Sequence, residues 1–139
     1  MNVRRLGDDL LVSLKRGDRL PDALIEAVNA NRIDAAWIRG IGALSKVELG
    51  YFDIKKKEYL RRTFEGSYEL VSLQGDLAWA EGNPIWHLHA AISGPDFALL
   101  GGHLFSAEVS VTGELLMHVM PTRIERTPDA WSGLKLWNL

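Results

Sequence analysis

The chain has no cysteine among its 139 residues, so it has neither a disulfide framework nor a thiolate metal site. Any metal that it binds must be held by nitrogen and oxygen atoms. Long apolar runs are also missing, since none approaches the roughly 18 residues that a membrane-spanning helix needs. The N-terminal MNVRRLG is followed by two aspartates instead of the apolar segment of a signal peptide. We therefore expect a cytoplasmic protein with no membrane partner.

An excess of positive charge is missing as well. The net charge is −2 at pH 7, which argues against a protein that holds nucleic acid through bulk charge. The exception is the basic segment 55–62 (KKKEYLRR), with five basic residues and one acidic residue. Basic clusters are common on solvated hairpins, where lysines also discourage edge pairing. We favour that interpretation over a patch that contacts phosphates.

Patterning predicts one helix and many strands. The apolar residues 20, 23, 24, 27 and 28 recur at helical spacing, and Asp18 is a candidate cap for this helix. Most of the remaining chain alternates between apolar and polar residues, with turn signals that include Gln74-Gly75. The strand candidates are 10–14, 35–41, 46–53, 58–64, 67–73, 76–80, 85–92 and 108–119. We predict an α+β fold with a mainly antiparallel sheet, in a single domain over residues 1–139.

Three of the four histidines lie in the apolar stretch 84–104, PIWHLHAAISGPDFALLGGHL. On a strand, His87 and His89 point to the same face with their Cα atoms about 6.6 to 6.8 Å apart. Imidazoles at this spacing can lean together over one metal ion. The alternating residues Trp86, Leu88 and Ala90 are then expected to face the core.

A third ligand is expected from His103. It follows Gly101-Gly102, which allows the backbone to bend or to approach a neighbour closely. The alternative is that the histidines are merely exposed or hydrogen-bonded to carbonyl groups. We predict that His87, His89 and His103 bind a divalent metal, whereas His118 is an ordinary strand residue. Imidazoles suit Zn, Fe, Ni and Cu alike, and zinc is the metal that we expect first.

The order of these motifs resembles the PPC (plants and prokaryotes conserved) domain. The resemblance rests on GIGAL at 40–44, YELVSLQG at 68–75, HLHA at 87–90 and GGHL at 101–104. It implies an antiparallel sheet with few helices, a homotrimer, and a divalent metal bound by the three matching histidines. The apolar C-terminal residues 131–139 (WSGLKLWNL) are then expected to cover the sheet or a subunit boundary.

The plant members of that family carry an AT-hook with an Arg-Gly-Arg-Pro core, and this chain departs from them there. Its nearest match is RGDRLP at 16–21, where an aspartate interrupts the basic residues and phosphates would repel the carboxylate. The chain therefore resembles the stand-alone prokaryotic type, and we expect its association with nucleic acid to be weak or indirect.

Three functions remain open, in order of preference. The first is a non-enzymatic metal-binding trimer that acts through protein partners or weakly on nucleic acid as a regulator. The second is a metal-dependent enzyme with an open three-histidine site. Its nearest comparison is the metal-dependent cupins, but no carboxylate follows His89 closely as it does in them, and no other catalytic motif is present. The third is a purely structural trimer.

Overall fold

The fold consists of ten strands and one short helix, described by a computed structural model that covers all 139 residues. Strands make up 68% of the chain and helix 7%, which confirms the predicted α+β class with a mainly antiparallel sheet. The elements in chain order are β1 Asn2–Leu6, β2 Asp9–Lys15, β3 Arg19–Leu20, α1 Asp22–Asn31, β4 Ala35–Asp53, β5 Glu58–Phe64, β6 Tyr68–Ala80, β7 Asn83–Ser93, β8 Leu99–Met120, β9 Glu125–Pro128 and β10 Lys135–Asn138.

Four long strands form a closed circuit of pairings. β4 pairs with β6, β6 with β7, β7 with the first part of β8, and β8 returns to pair with β4. All four pairings are antiparallel. The strands β1 and β2 extend the sheet beside the second part of β8, and the C-terminal hairpin, formed by β9 and β10, attaches to the end of β6.

The helix α1 forms where the apolar spacing predicts it. Ala23, Leu24, Ala27 and Val28 are all buried, so the predicted stripe faces the core. The predicted cap is wrong: Pro21 occupies the N-cap position, and no side chain caps the helix. Asp18 instead accepts the backbone N–H of Lys15 and pairs with the N-terminal amine of Met1 at 3.0 Å. With ten residues, α1 falls short of the length and apolarity of a membrane-crossing helix, and the chain forms no other helix.

Gly75 lies inside a strand, so the turn predicted at Gln74-Gly75 is wrong. The two predicted strands 67–73 and 76–80 form one strand, β6, because Gly75 allows the backbone of His87 to approach closely. A Cβ atom at position 75 would collide with the His87 carbonyl group. The predicted strands 35–41 and 46–53 are likewise joined in β4. The pairing of β4 with β8 is irregular in the segment between them, where apolar and polar residues do not alternate.

Candidate metal centre

Strand β7 separates apolar and imidazole side chains onto its two faces. Trp86, Leu88 and Ala90 are buried at 8%, 1% and 5% exposure, which confirms the orientation expected for them. His87 and His89 therefore project from the opposite face. This division follows from the two-residue period of a strand.

The antiparallel register brings the third histidine to the same place. His103 of β8 lies directly opposite His89 of β7. One ring nitrogen from each of His87, His89 and His103 lies within 4.8 Å of the other two, and we call these residues the histidine cluster. The three residues predicted from the sequence are therefore brought together.

The Gly-Gly pair before His103 does not bend the chain. Gly101 and Gly102 lie within the continuous strand β8. A Cβ atom on Gly102 would lie 2.6 Å from the carbonyl oxygen of Gly50 on β4, so this glycine permits a close approach between strands. Of the two roles predicted for the pair, close approach is the one found.

The cluster has the dimensions of a metal site. The Nε2 atoms of His87 and His89 are 3.2 Å apart. Two nitrogens bound tetrahedrally to Zn at about 2.0–2.1 Å would be about 3.3–3.4 Å apart. In addition, Nδ1 of His103 is buried without a hydrogen-bond partner, and a buried polar atom in that condition is costly. The donor set and its spacing therefore fit a divalent transition metal.

Aromatic side chains wall one side of the cluster. The ring centroids of Tyr59 and Phe105 lie 5.1 Å and 4.7 Å from that of His103. The guanidinium of Arg61 stacks over Phe105, with 3.6 Å between Cζ and the ring centroid. This wall limits the access of water to His103, and burial also raises the pKa of the Tyr59 hydroxyl.

The environment keeps the imidazoles of His89 and His103 neutral. Burial, followed by the charges of His87, His89, Arg61 and Arg126, lowers the pKa of His103 to about 4. Burial and the neighbouring His87 also lower the pKa of His89. An imidazole binds a metal only in its neutral form, so both residues are ready to act as ligands at neutral pH.

A buried carboxylate that the sequence analysis missed lies behind His87. Asp76 of β6 is directly opposite His87 in the register, and its Oδ2 lies 3.6 Å from His87 Nδ1. Arg126 of β9 and Trp137 of β10 donate hydrogen bonds to Oδ1 at 2.6 Å and 2.8 Å. Burial alone would raise the pKa of Asp76, but its contacts with His87, Arg126 and Trp137 outweigh it, so the pKa is lowered. The available signal was one charged residue between Gly75 and the apolar run LAWA at 77–80.

His118 lies outside the cluster, as predicted. Its Nδ1 is 2.8 Å from an Oδ1 of Asp9, and its side chain is 60% exposed. The sequence analysis recognised no partner for this histidine, and Asp9 is that partner. The chain thus contains a second histidine–aspartate pair that is independent of the cluster.

Comparison with known proteins identifies similar sequences and structures. The model of the Plants and Prokaryotes Conserved (PCC) domain, the domain called PPC above, matches residues 1–121. A plant- and prokaryote-conserved protein of Pyrococcus horikoshii is 33% identical with a TM-score of 0.87, covering 99% of this chain and 94% of its own. A search of curated proteins found no match.

Two further solved structures cover nearly all of the chain. A candidate DNA-binding protein of Bacteroides thetaiotaomicron is 28% identical with a TM-score of 0.95, over 99% of this chain and 96% of its own. A metal-containing protein of Archaeoglobus fulgidus is 33% identical with a TM-score of 0.88, over 97% and 96%. The likeness to these proteins extends over the whole arrangement of strands.

The lowered pKa of His103 predicts an acid-sensitive stability for the metal-free protein. Between the folded pKa of about 4 and the unfolded value of about 6.5, the unfolded state binds more protons. The free energy of unfolding should therefore fall as the pH is lowered through this window, with a contribution from His103 of at most about 1.4 kcal/mol per pH unit. Urea denaturation in the presence of a chelator at several pH values measures this slope. His103→Asn should flatten this slope. An unchanged slope would contradict the conclusion that His103 is the group that titrates.

Proposed function

Because this chain belongs to the Plants and Prokaryotes Conserved family, we propose that it is a non-enzymatic trimeric module that binds one divalent metal per subunit. The histidine cluster is the observation that carries this proposal. Three imidazole nitrogens within 4.8 Å of one another suit a transition metal. A similar structure, that of the Archaeoglobus fulgidus protein, is of a metal-containing protein, which supports the same assignment.

Zinc is the metal that we propose first. It favours four ligands in a tetrahedron, so three histidines leave at least one position for water or a small ligand. A metal bound through Nδ1 of His103 would also provide the partner that this buried nitrogen lacks. The chemistry that zinc supplies in such a site is Lewis acidity.

The choice of a module over an enzyme rests on Asp76. Metal-assisted hydrolysis usually recruits a nearby carboxylate as a general base. Asp76 is the carboxylate beside the cluster, but Arg126 and Trp137 both donate to its Oδ1. Its Oδ2 faces Nδ1 of His87, away from the Nε2 atom that faces His89. Asp76 is therefore engaged in structure and is not available to move a proton.

The proposed trimer is supported by an apolar patch on the outer face of the sheet. The patch comprises Leu11, Ile41, Val71 and Val111, which are 42%, 57%, 47% and 67% exposed. These four residues line adjoining grooves on β2, β4, β6 and β8. A contiguous patch of this kind is typical of a surface that another subunit covers.

A role in regulation through nucleic acid can be only weak or indirect in this proposal. The neighbour from Bacteroides thetaiotaomicron is a candidate DNA-binding protein. In this chain, however, the two arginines of the basic segment pack against aromatic rings. Arg61 stacks on Phe105 and Arg62 lies over Phe64. The lysines of the segment, 55 to 57, remain exposed in the turn between β4 and β5.

Metal analysis tests the cluster. We expect tag-free protein to hold one divalent metal per chain, measured by elemental analysis after incubation with Zn, Ni or Fe and removal of excess. Replacing His87, His89 or His103 by Ala should reduce the metal content sharply, because two imidazoles hold a metal much less tightly than three. The matched control, His118→Ala, should keep the wild-type content. Metal-free wild-type protein, or an equal loss in the control, would contradict the assignment.

Sedimentation tests the trimer. At micromolar concentration the wild-type chain should sediment at three times its 15.5 kDa mass. Val111→Glu places a charge in the apolar patch and should shift the protein towards the monomer, because the buried carboxylate would be unpaired. Leu60→Glu, which changes an exposed apolar residue on β5, should leave the trimer intact. A wild-type monomer would rule out the trimer.

Titration with duplex DNA tests the nucleic-acid role. Near 150 mM salt we expect binding no tighter than the non-specific range of about 10⁻⁴ to 10⁻⁶ M, because the chain has a net negative charge and no AT-hook. Changing Lys55, Lys56 and Lys57 together to Glu should weaken what remains. Binding that survives higher salt, or that distinguishes A·T-rich from G·C-rich duplexes, would overturn this expectation.

A further inference from the structure

The environment of His87 differs from that of the other two cluster histidines. Its Nε2 faces His89 at 3.2 Å, while its Nδ1 faces the buried Asp76. The side chain of Asp76 is 5% exposed, and its two oxygens have different neighbours. Oδ1 receives the two hydrogen bonds from the C-terminal hairpin, so Oδ2 is the oxygen left to face His87 Nδ1, at 3.6 Å.

Two arrangements of the His87 proton compete. Arg126 Nη2 lies 3.5 Å from His87 Nδ1 and could donate to it, which would place the proton on Nε2. An Nε2 atom that carries a proton has no lone pair for a metal. Donation from Nδ1 to Asp76 instead leaves the lone pair on Nε2, directed towards the cluster. The guanidinium donates to Asp76 at 2.6 Å in a short, charge-assisted bond, whereas its contact with His87 at 3.5 Å is at the limit of a hydrogen bond.

We infer that Asp76 is the positioning residue of the proposed metal site. It accepts the Nδ1 proton of His87, thereby selects Nε2 as the ligand atom, and fixes the orientation of the ring. Partners of this kind are a general requirement of metal-bound imidazoles. This inference rests on the proposed metal-binding function and adds to it a residue that is not itself a ligand.

The C-terminal hairpin is part of the same arrangement. Arg126 and Trp137 come from its two strands, and both donate to Oδ1 of Asp76. Arg126 also donates to the carbonyl oxygen of Lys135 at 3.0 Å, which ties its guanidinium to the facing strand. Both residues lie beyond residue 121, where the family match ends. The orientation of a ligand on β7 therefore depends on a segment about 40 to 50 residues further along the chain.

The tautomer of His87 can be read without any metal. Nitrogen NMR of ¹⁵N-labelled wild-type protein, treated with a chelator at neutral pH, distinguishes the two neutral forms of each imidazole. We expect the Nδ1–H form for His87. Dominance of the Nε2–H form would overturn the inference even if the protein binds metal, because Asp76 would then not be the acceptor. This measurement needs no variant and so does not depend on how a substitution folds.

Metal affinity provides the second test, with Co²⁺ as the probe. Asp76→Asn keeps the shape of the side chain but removes its charge, and it should weaken Co²⁺ binding about 10- to 100-fold. Trp137→Phe removes one donor to Asp76 and should produce a smaller loss. The matched control is Asp9→Asn, which alters the His118–Asp9 pair outside the cluster and should leave the affinity unchanged.

The outcomes separate this inference from the function on which it rests. Wild-type protein that binds no Co²⁺ would overturn the proposed metal site and this inference together. Wild-type binding that Asp76→Asn leaves unchanged would overturn the positioning role alone. A loss in Asp76→Asn with a changed Co²⁺ absorption spectrum, while Asp9→Asn matches the wild type, would support it, because a merely structural role would not alter the ligand field.

Discussion

The register of β7 against β6 and β8 is the constraint on which the candidate site depends. It sets His89 opposite His103 and His87 opposite Asp76. A shift of one residue would turn the imidazoles towards the core and expose Leu88 and Ile92. Burying each of these two apolar side chains is worth about 1.5–3 kcal/mol. The apolar face of β7 therefore fixes the position of the polar groups on its other face.

Glycines at three points of the sheet make this register compatible with close strand contacts. Gly75 on β6 lies against the backbone of His87, and Gly102 on β8 lies against the Gly50 carbonyl group of β4. A side chain at Gly75 or Gly102 would collide with the facing backbone, while one at Gly50 would displace the Phe105 ring that packs on His103. These glycines matter because the absence of a side chain leaves room for the facing backbone or ring. Each of them adjoins a residue of the cluster or its aromatic wall.

The sequence predicted the parts of this arrangement that depend on local periodicity. The faces of β7 and the stripe of α1 follow from residues a few positions apart, and both were predicted correctly. The role of Gly75 was predicted wrongly. A glycine between polar residues has the same local sequence pattern in a turn as in a strand, where it permits another backbone to approach closely. Asp76 and its partners could not be predicted, because Arg126 and Trp137 reach it only through the long-range pairing of the C-terminal hairpin. Whether the cluster binds metal stays a prediction.

The position of Asp76 also bears on what the proposed metal can do. A general base must lie about 2.6–3.2 Å from the proton that it accepts, or reach it through one water. Asp76 lies behind His87, on the side of the imidazole opposite the ligand atom, and two hairpin side chains occupy one of its oxygens. Proton transfer at an open position of the proposed metal would therefore require a group other than Asp76.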